Sequence, residues 1–545
     1  MKTRIVLFIV FALTAITLSI LFTLQYDIYS YHLWAYTAIK EGTHEVYNTA
    51  KYFNRACDYT HVGAYLCLFQ GKVLSYIKPL EIGSAPFLFF YKIFPLAVLL
   101  LFLARNAFSG DRKKEVFGYL LSLPFLVSII VNGQFDIAIL LLLSMSIGEF
   151  EKKNLKSAML LLLPALLLKQ TAVIFAGLII LHYFIKSDNK KRFVELSLLM
   201  GSAVFLIVML PFIIKGNIVK SVHDLFFNTF IYLPFSGNAF NLLSIFNPSD
   251  TVEHNFNIMG ISLATYSIIT VFAAVFCISF VKRWDIYKKM TLISIIWFNM
   301  FLGLREQHLL YPFFFISIYT FKSKKNLSYM IPFGFITIAN IMLFNPSVSN
   351  LFFKLPYLPS SVVRVMSVIQ TLLSLGAVIL IIRERQHTKK MHEIVSFSGK
   401  IVKKTLVFLF FMILFAEFAP GFYAKDEKEL FSDSMVKNLL VEHSKDKYID
   451  LNIVSTGPFE NYIGARLSND AYFKIANFGM YDSIVFDAKP EFIDSGLIII
   501  NSDTFHISSI VKNAGVFIGD EETLTVKSIS PKKLSQMNLY NVRVK

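Results

Sequence analysis

The sequence has little charge for its length. Of its 545 residues, 17% are charged and 55% are hydrophobic, with 56 phenylalanines. So few charged side chains cannot cover a set of water-soluble domains. Apolar runs of about 17–25 residues, the length that crosses a bilayer, recur from end to end. The composition therefore indicates an integral membrane protein.

Cysteine is scarce as well. Cys57, Cys67 and Cys277 are too few for a disulfide framework. Cys57 and Cys67 fall in one loop that we place outside the cytoplasm, where a bridge is chemically allowed. A disulfide and two free thiols both remain open, because the geometry of the loop is not readable.

The basic residues are distributed unevenly along the chain. The net charge is +16, but Lys and Arg gather in short loops between every second pair of apolar runs. This is the positive-inside pattern of membrane proteins, and no basic surface interleaved with aromatics indicates nucleic acid as a partner. We predict about thirteen transmembrane helices, a cytoplasmic N-terminus, an extracytoplasmic C-terminus and long outer loops at 25–85 and 215–257.

Composition changes near residue 425, which predicts two domains, 1–424 and 425–545. The first is an all-α polytopic membrane domain. The second is polar, long enough for a small fold, and predicted to be an extracytoplasmic α/β domain. The pattern predicts helices at Asp426–His443 and Thr504–Asn513, and strands at Tyr448–Ser455, Gly496–Asn501 and Asn538–Lys545. Predicted outer loops lack Asn-x-Ser/Thr sequons, which favours a bacterial inner membrane.

Ionisable residues gather at the predicted outer helix ends. Asp27 lies at the mouth of the first span, where burying an unpaired carboxylate is costly. Lys169 interrupts the apolar run 159–185, where a mid-helix Lys costs about 2.5–3.5 kcal/mol and calls for a partner or an anionic ligand. The alternatives are a boundary carboxylate facing water for Asp27 and snorkelling for Lys169.

A third cluster, Arg305-Glu306-Gln307-His308, lies between two apolar helices. Arg305 and Glu306 could neutralise each other. The other possibility is a cationic clamp for phosphate, which the planar guanidinium suits.

Five short motifs occur in one order along residues 1–320. They are Asp27 followed seven residues later by Trp34, then Asp58-Tyr59, then Gln134 and Asp136 with Lys169-Gln170, then Asn238 and Asn241, and then Arg305-Glu306 with His308. In this order the chain resembles the GT-C superfamily of glycosyltransferases, which use polyprenyl-phosphate sugars. Three details differ from that family. The family's histidine directly precedes the tryptophan, whereas His32 precedes Leu33. Asp58-Tyr59 lacks the two prolines that usually follow, and the family's His-Glu-Arg or His-Glu-Lys pattern is Arg305-Glu306-Gln307 here.

The resemblance implies an inverting transfer of a hexose from a lipid-linked donor to a glycan or glycolipid acceptor at the outer leaflet. Such a transfer needs a base for the acceptor hydroxyl and cations for the departing phosphate. Asp27 is the expected base, and Lys169, Arg305 and His308 are the expected phosphate ligands. The remaining motif residues are expected to bind substrate; neither a metal nor a cofactor besides the polyprenyl-phosphate donor is expected.

Two alternatives stay open. An O-antigen polymerase or ligase is also polytopic and has large outer loops. A lipid or sugar transporter would favour mid-membrane charges and internal repeats, and the sequence has no readable repeat.

Overall fold

The structure is a computed structural model. It describes residues 2–21, 26–51, 57, 59–77, 85–216, 218–219, 239–246, 257–258, 261–302, 304–322, 330–344, 358–383 and 399–422, and ten strands between 440 and 544. The chain divides into two compact units. The first contains residues 1–49, 56–78 and 85–421, and the strands after Phe422 belong to the second.

The first unit is built from helices joined mostly by short connections. They are α1 (Lys2–Leu21), α2 (Tyr26–Glu41), α3 (His61–Ser75), α4 (Ala85–Ala107), α5 (Arg112–Asn132), α6 (Asp136–Glu151), α7 (Leu155–Leu168), α8 (Ala172–Lys186), α9 (Lys190–Ile214), α10 (Leu242–Phe246), α11 (Leu263–Ser279), α12 (Ile286–Met300), α13 (Leu310–Lys322), α14 (Met330–Leu343), α15 (Ser360–Arg383) and α16 (Gly399–Phe418). The other elements that the structure describes before Phe422 are two 3₁₀ helices, Thr43–Lys51 and Glu306–Leu309, and a two-stranded hairpin, β1 (Asn257–Ile258) with β2 (Ile261–Ser262).

Five described helices are long and apolar enough to cross a membrane. They are Thr3–Leu21, Phe89–Ala107, Arg112–Asn132, Lys190–Ile214 and Ser360–Arg383. Four shorter apolar helices accompany them: Leu155–Leu168, Ala172–Lys186, Thr265–Ser279 and Met330–Leu343. The helical, membrane-inserted character expected of this part of the chain is therefore supported. The number thirteen is not confirmed.

Burial separates inner helices from outer ones. The side chains of α6 are buried from Asp136 to Phe150, and those of α12 are buried almost throughout. By contrast, α1 and α9 expose large apolar side chains such as Leu13 and Leu198. An apolar exterior around a closed helical core is what a lipid environment favours, because every backbone polar group is satisfied within a helix. The polar groups discussed below therefore lie on or beside the inner helices.

The stretch predicted as an outer loop at 25–85 is not an open loop. It contains α2, a 3₁₀ helix and α3, and α3 buries nearly all of its side chains. Its content of Val, Leu and Tyr is high enough for this helix to pack as part of the core. Cys57 and Cys67 are both buried thiols that no disulfide joins.

Within the second unit, the described residues from Leu440 onward are β-strands. Two five-stranded antiparallel sheets have the orders β10-β7-β12-β5-β4 and β3-β6-β11-β8-β9. The strands are β3 (Leu440–His443), β4 (Ile449–Gly457), β5 (Glu460–Ser468), β6 (Tyr472–Ala476), β7 (Ser483–Glu491), β8 (Gly496–Ile500), β9 (Asp503–Ile507), β10 (Val511–Phe517), β11 (Thr523–Ile529) and β12 (Gln536–Val544).

Three predicted strands of this unit are confirmed, as β4, β8 and β12. The helix predicted at Thr504–Asn513 is wrong, because β9 and β10 occupy most of that range. At 426–443, residues 440–443 form β3 and the rest lie outside the described residues. An α/β domain is thus not confirmed. Antiparallel pairing of β9 with β8 outweighs the helical spacing of this short segment.

Candidate functional site

The connection between α5 and α6 is a tight turn around Gly133. Gly133 adopts a left-handed conformation with φ of 62°, and its N–H donates to Ile129 O at 3.0 Å. A Cβ at this position would lie 2.5 Å from Ile28 Cγ1 of α2, so a larger residue does not fit without movement. The turn ends α5, and two residues that follow it, Gln134 and Asp136, are buried where α6 begins.

Lys169, between α7 and α8, reaches both of these side chains. Its Nζ lies 3.0 Å from Gln134 Oε1 and 3.3 Å from both carboxylate oxygens of Asp136. Lys169 and Asp136 are both buried, so they form a buried ion pair. Asp136 is also the first residue of α6, where the helix dipole favours a negative charge. The lysine expected to meet an anionic ligand therefore has a protein carboxylate beside it.

Aromatic side chains extend this network toward α2 and α3. The Tyr59 hydroxyl donates to Gln134 Oε1 at 2.7 Å and lies 2.8 Å from the Tyr31 hydroxyl. Because Tyr59 has one proton, Tyr31 is the donor of the second bond. Trp34 packs against both tyrosine rings, with centroids 5.5 Å from each, and Lys169 Nζ lies 5.3 Å from the Tyr59 ring centroid. The predicted residues Trp34 and Tyr59 thus meet Gln134 and Lys169.

A second arm of the network runs to α13. The Tyr311 hydroxyl donates to Asp136 Oδ1 at 2.8 Å, and Thr171 Oγ1 lies 3.0 Å from the same hydroxyl. Since the Tyr311 proton goes to Asp136, Thr171 donates to Tyr311. The Asp136 carboxylate therefore accepts from both Lys169 and Tyr311. Both contacts engage the carboxylate within the protein.

The segment before α13 is a one-turn 3₁₀ helix held by His308. The Arg305 N–H donates to His308 Nδ1 at 2.8 Å, so the neutral ring carries its proton on Nε2. Burial and the positive charges of Lys169 and Arg305 hold the pKa of His308 well below its usual value. In this arrangement the ring is neutral and offers an N–H donor at Nε2, and the expected role of His308 as a phosphate ligand stays a prediction.

Glu306 ties the same turn to two distant segments. Its Oε1 accepts from Asn132 Nδ2 at 3.0 Å, at the end of α5. Its backbone oxygen accepts from Asn340 Nδ2 at 2.6 Å, and Asn340 Oδ1 accepts from the N–H of Phe240 at 2.7 Å. Asn241 follows, buried, with its Oδ1 accepting from Ser244 N–H. Four separated segments of the chain therefore converge here.

Three predicted residues have no described side-chain geometry. Asp27 belongs to α2, but its side chain lies outside the described part of the chain. Asp58 and Asn238 also lie outside the described residues. Gln170 is half-buried beside Lys169, and Arg305 is half-buried at the start of its turn.

Several buried polar atoms at this site make no hydrogen bond within the described residues. They include two N–H donors, Trp34 Nε1 and His308 Nε2, and two carbonyl acceptors, Gln170 Oε1 and Gln307 Oε1. Buried polar atoms without partners are costly unless water or a ligand satisfies them. Hydroxyl groups can pair with donors and acceptors of both kinds. Within the described residues there is no group of three His, Cys, Asp or Glu that could hold a metal ion.

Sequence reasoning missed Tyr31, Thr171, Tyr311 and Asn340 among the residues of the network. Tyr31 and Tyr311 give no separate signal, because tyrosine is common in apolar helices near membrane interfaces. Asn340 does give one, since an amide inside the apolar run of α14 is costly unless it is hydrogen-bonded. No protein-family model matches this chain, and no curated protein matches it either.

Proposed function

We propose that this protein is a membrane glycosyltransferase of the GT-C type. It would move a hexose from a polyprenyl-phosphate sugar to a glycan or glycolipid acceptor at the outer face of a bacterial inner membrane. The observation that carries the proposal is the convergence of motifs. Trp34, Tyr59, Gln134, Asp136 and Lys169, which lie far apart in sequence, form one buried network.

The network supports a division of roles among the candidate residues. Asp136 is engaged by Lys169 and Tyr311, and Glu306 accepts from Asn132. Both carboxylates hold the site together, which leaves Asp27, at the start of α2, as the base candidate. Arg305 is the candidate for binding the departing phosphate, because His308 is neutral and Lys169 is paired within the protein.

The proposed reaction is a single displacement. The Asp27 carboxylate takes the proton of the acceptor hydroxyl as that oxygen forms a bond to the anomeric carbon. The bond from this carbon to the phosphate oxygen breaks on the opposite face, and polyprenyl phosphate leaves with the electron pair. Arg305 stabilises the charge that develops on the phosphate. Hydroxyls of the sugar would satisfy the partnerless donors and acceptors at the site.

Asp27→Asn tests the role of the base. We expect it to abolish transfer with normal expression, because Asn keeps the size of the side chain but cannot accept the proton. Asp58→Asn should lower transfer by about 10²-fold, the low end of general-base effects. Transfer is measured with membranes containing the protein, a panel of polyprenyl-phosphate hexoses, and mass spectrometry of surface glycans from a deletion strain complemented with each variant.

Asp285→Asn is the matched control, because Asp285 caps α12 and Asn can make the same cap. It should leave transfer unchanged. Equal, mild losses in Asp27→Asn and Asp58→Asn would remove both from the base role and make Glu306 the next candidate.

The proposal also requires the site to face away from the cytoplasm, with residues 425–545 on the same side. The motivation is the alternation of basic loops along the sequence. A reporter that is active only outside the cytoplasm, fused after Lys545, should be active. A silent reporter there, together with an active cytoplasmic reporter at the same fusion point, would reject this orientation.

A further inference from the structure

A buried lysine lies within the second long apolar helix, close to the site but outside the network described above. Lys92 of α4 has no exposed surface, and it occupies a helix that is otherwise almost wholly apolar. An ammonium group inside the membrane costs about 2.5–3.5 kcal/mol on insertion scales. A lysine in such a place needs specific acceptors.

Its acceptors include the ends of two other helices. Lys92 Nζ donates to Ser19 O at 3.2 Å and to Ile130 O at 2.7 Å. Ser19 is in the last turn of α1, and Ile130 is in the last turn of α5. Carbonyls in the last turn of a helix have no partner within the helix and carry its partial negative charge. One ammonium therefore holds two helix ends together.

The neighbouring residue makes a contact with a third helix. The Tyr91 hydroxyl lies 3.4 Å from His32 Nδ1 of α2, and the two rings pack edge to face. Lys92 and Tyr91 together thus connect α4 with α1, α2 and α5. Each of these helices leads directly into the candidate site. Residue 27 follows α1 at the start of α2, and Gln134 and Asp136 follow α5.

We propose that Lys92 is a positioning residue, which fixes the start of α2 and the turn after α5 relative to each other. This inference rests on the proposed function for its kinetic consequence, but its structural consequence is independent of it. Removing the ammonium would leave two buried carbonyls without their partner and allow the two helix ends to separate. A displacement of about 1 Å in a catalytic arrangement can cost about 10²-fold in rate.

The chain contains a matched control. Lys289 of α12 is also buried, and its Nζ donates to Ser279 O at 2.6 Å, at the end of α11. This is the same type of contact at the other end of the helices, away from Gln134 and Lys169. Lys289→Met should therefore loosen the α11–α12 connection and leave the candidate site unchanged.

The experiment compares Lys92→Met, Lys92→Arg and Lys289→Met with the wild type in detergent by hydrogen-exchange mass spectrometry. For Lys92→Met we expect faster exchange in peptides covering 19–36 and 128–138, and no change in 275–300. Lys289→Met should give the reverse pattern, and Lys92→Arg should restore most of the protection. Where transfer is measurable, Lys92→Met should lower kcat by about 10–10²-fold with little change in KM.

Identical exchange patterns for Lys92→Met and Lys289→Met would overturn the proposal, because they would show general loosening. Unchanged exchange near the site in Lys92→Met would also overturn it. If Lys92→Met does not accumulate in membranes, Lys92→Gln, which keeps a donor without the charge, is measured instead against the same expectations. The exchange result does not depend on whether the wild type transfers sugar. Failure of the proposed function is therefore distinguishable from failure of the proposed positioning role of Lys92.

Discussion

The two ends of the helices in the first unit use polar side chains differently. The end that carries the candidate site is called the site end. Most of its side-chain hydrogen bonds described above join residues at least 28 positions apart, and examples are Tyr31–Tyr59 and Tyr311–Asp136. The other end, which we call the cap end, lies at the connections before α5, α7, α9 and α12. There, Asp111, Asn154, Asn189 and Asp285 each accept from an N–H of their own helix, two or three residues on.

The simplest explanation of these polar residues is that helix ends generally carry polar side chains. The difference between the two ends tests this explanation. The explanation holds at the cap end, since a local cap satisfies an N–H that has no partner in the helix. It does not account for the site end, where the side chains bond across helices. Arg4–Glu115, at 2.9 Å, is a long-range ion pair at the cap end, but it is partly exposed. The site end therefore holds an arrangement that helix termination alone does not require.

The largest effect on stability is expected from Lys169→Met. Removing one partner of a buried ion pair leaves an uncompensated charge, here on Asp136, and such changes cost about 3–5 kcal/mol. Unfolding in detergent, followed by circular dichroism, should show a loss of this size. The double variant Lys169→Met with Asp136→Leu should recover most of the stability but not transfer. A single variant as stable as the wild type would show that the pair does not hold the site together.

A loss of catalysis without a loss of stability is expected from Arg305→Gln. If Arg305 stabilises the departing phosphate, transfer should fall by about 10²–10³-fold while membrane insertion remains normal. Arg4→Gln is the matched change at the cap end, and it should leave transfer unchanged. Initial rates from equal amounts of inserted protein check both. Equal effects of the two substitutions would contradict a special role for the site end.

A smaller effect is expected when one hydrogen bond is removed at each end. Asn132→Ala breaks a bond to the charged Glu306 side chain, and bonds of this type contribute about 1.5–3 kcal/mol. Asn154→Ala removes a helix cap, which costs about 1 kcal/mol. Paired unfolding measurements should therefore rank Asn132→Ala as more destabilising. The reverse order would place the more important polar contacts at the cap end.

The last prediction is a dependence of stability on pH at the site end. Burial lowers the pKa of His61 from 6.5 to about 4. The unfolded chain therefore binds a proton between these values that the folded protein does not, and stability falls as the pH is lowered from about 6.5 to about 4. His61 packs against the Tyr47 and Phe212 rings, so His61→Phe should fold and should flatten this part of the curve. Melting temperatures at several pH values would show an unchanged slope if His61 does not contribute.

Much of the fold could be read from the sequence because the signals are local. Apolar runs such as those of α5 and α9 identify helices without knowledge of their partners. Alternation identifies β4, and a short apolar run rich in Ile identifies β8. The segment 504–513 differs, because its conformation is not determined by a local signal. It is short and rich in Thr, Ile and Val, and its strand conformation depends on pairing with β8, which periodicity does not reveal.

For the site, the sequence by itself determined which residues are expensive to bury, and this led to Lys169 and to the Arg305–His308 turn. The tertiary structure alone decided their partners. It joins Lys169 to a carboxylate 33 positions away, and it orients the Arg305 N–H toward His308 so that the ring is neutral. Charge and hydrophobicity belong to a residue, whereas a hydrogen-bond partner and a protonation state depend on which atoms the fold brings within about 3 Å.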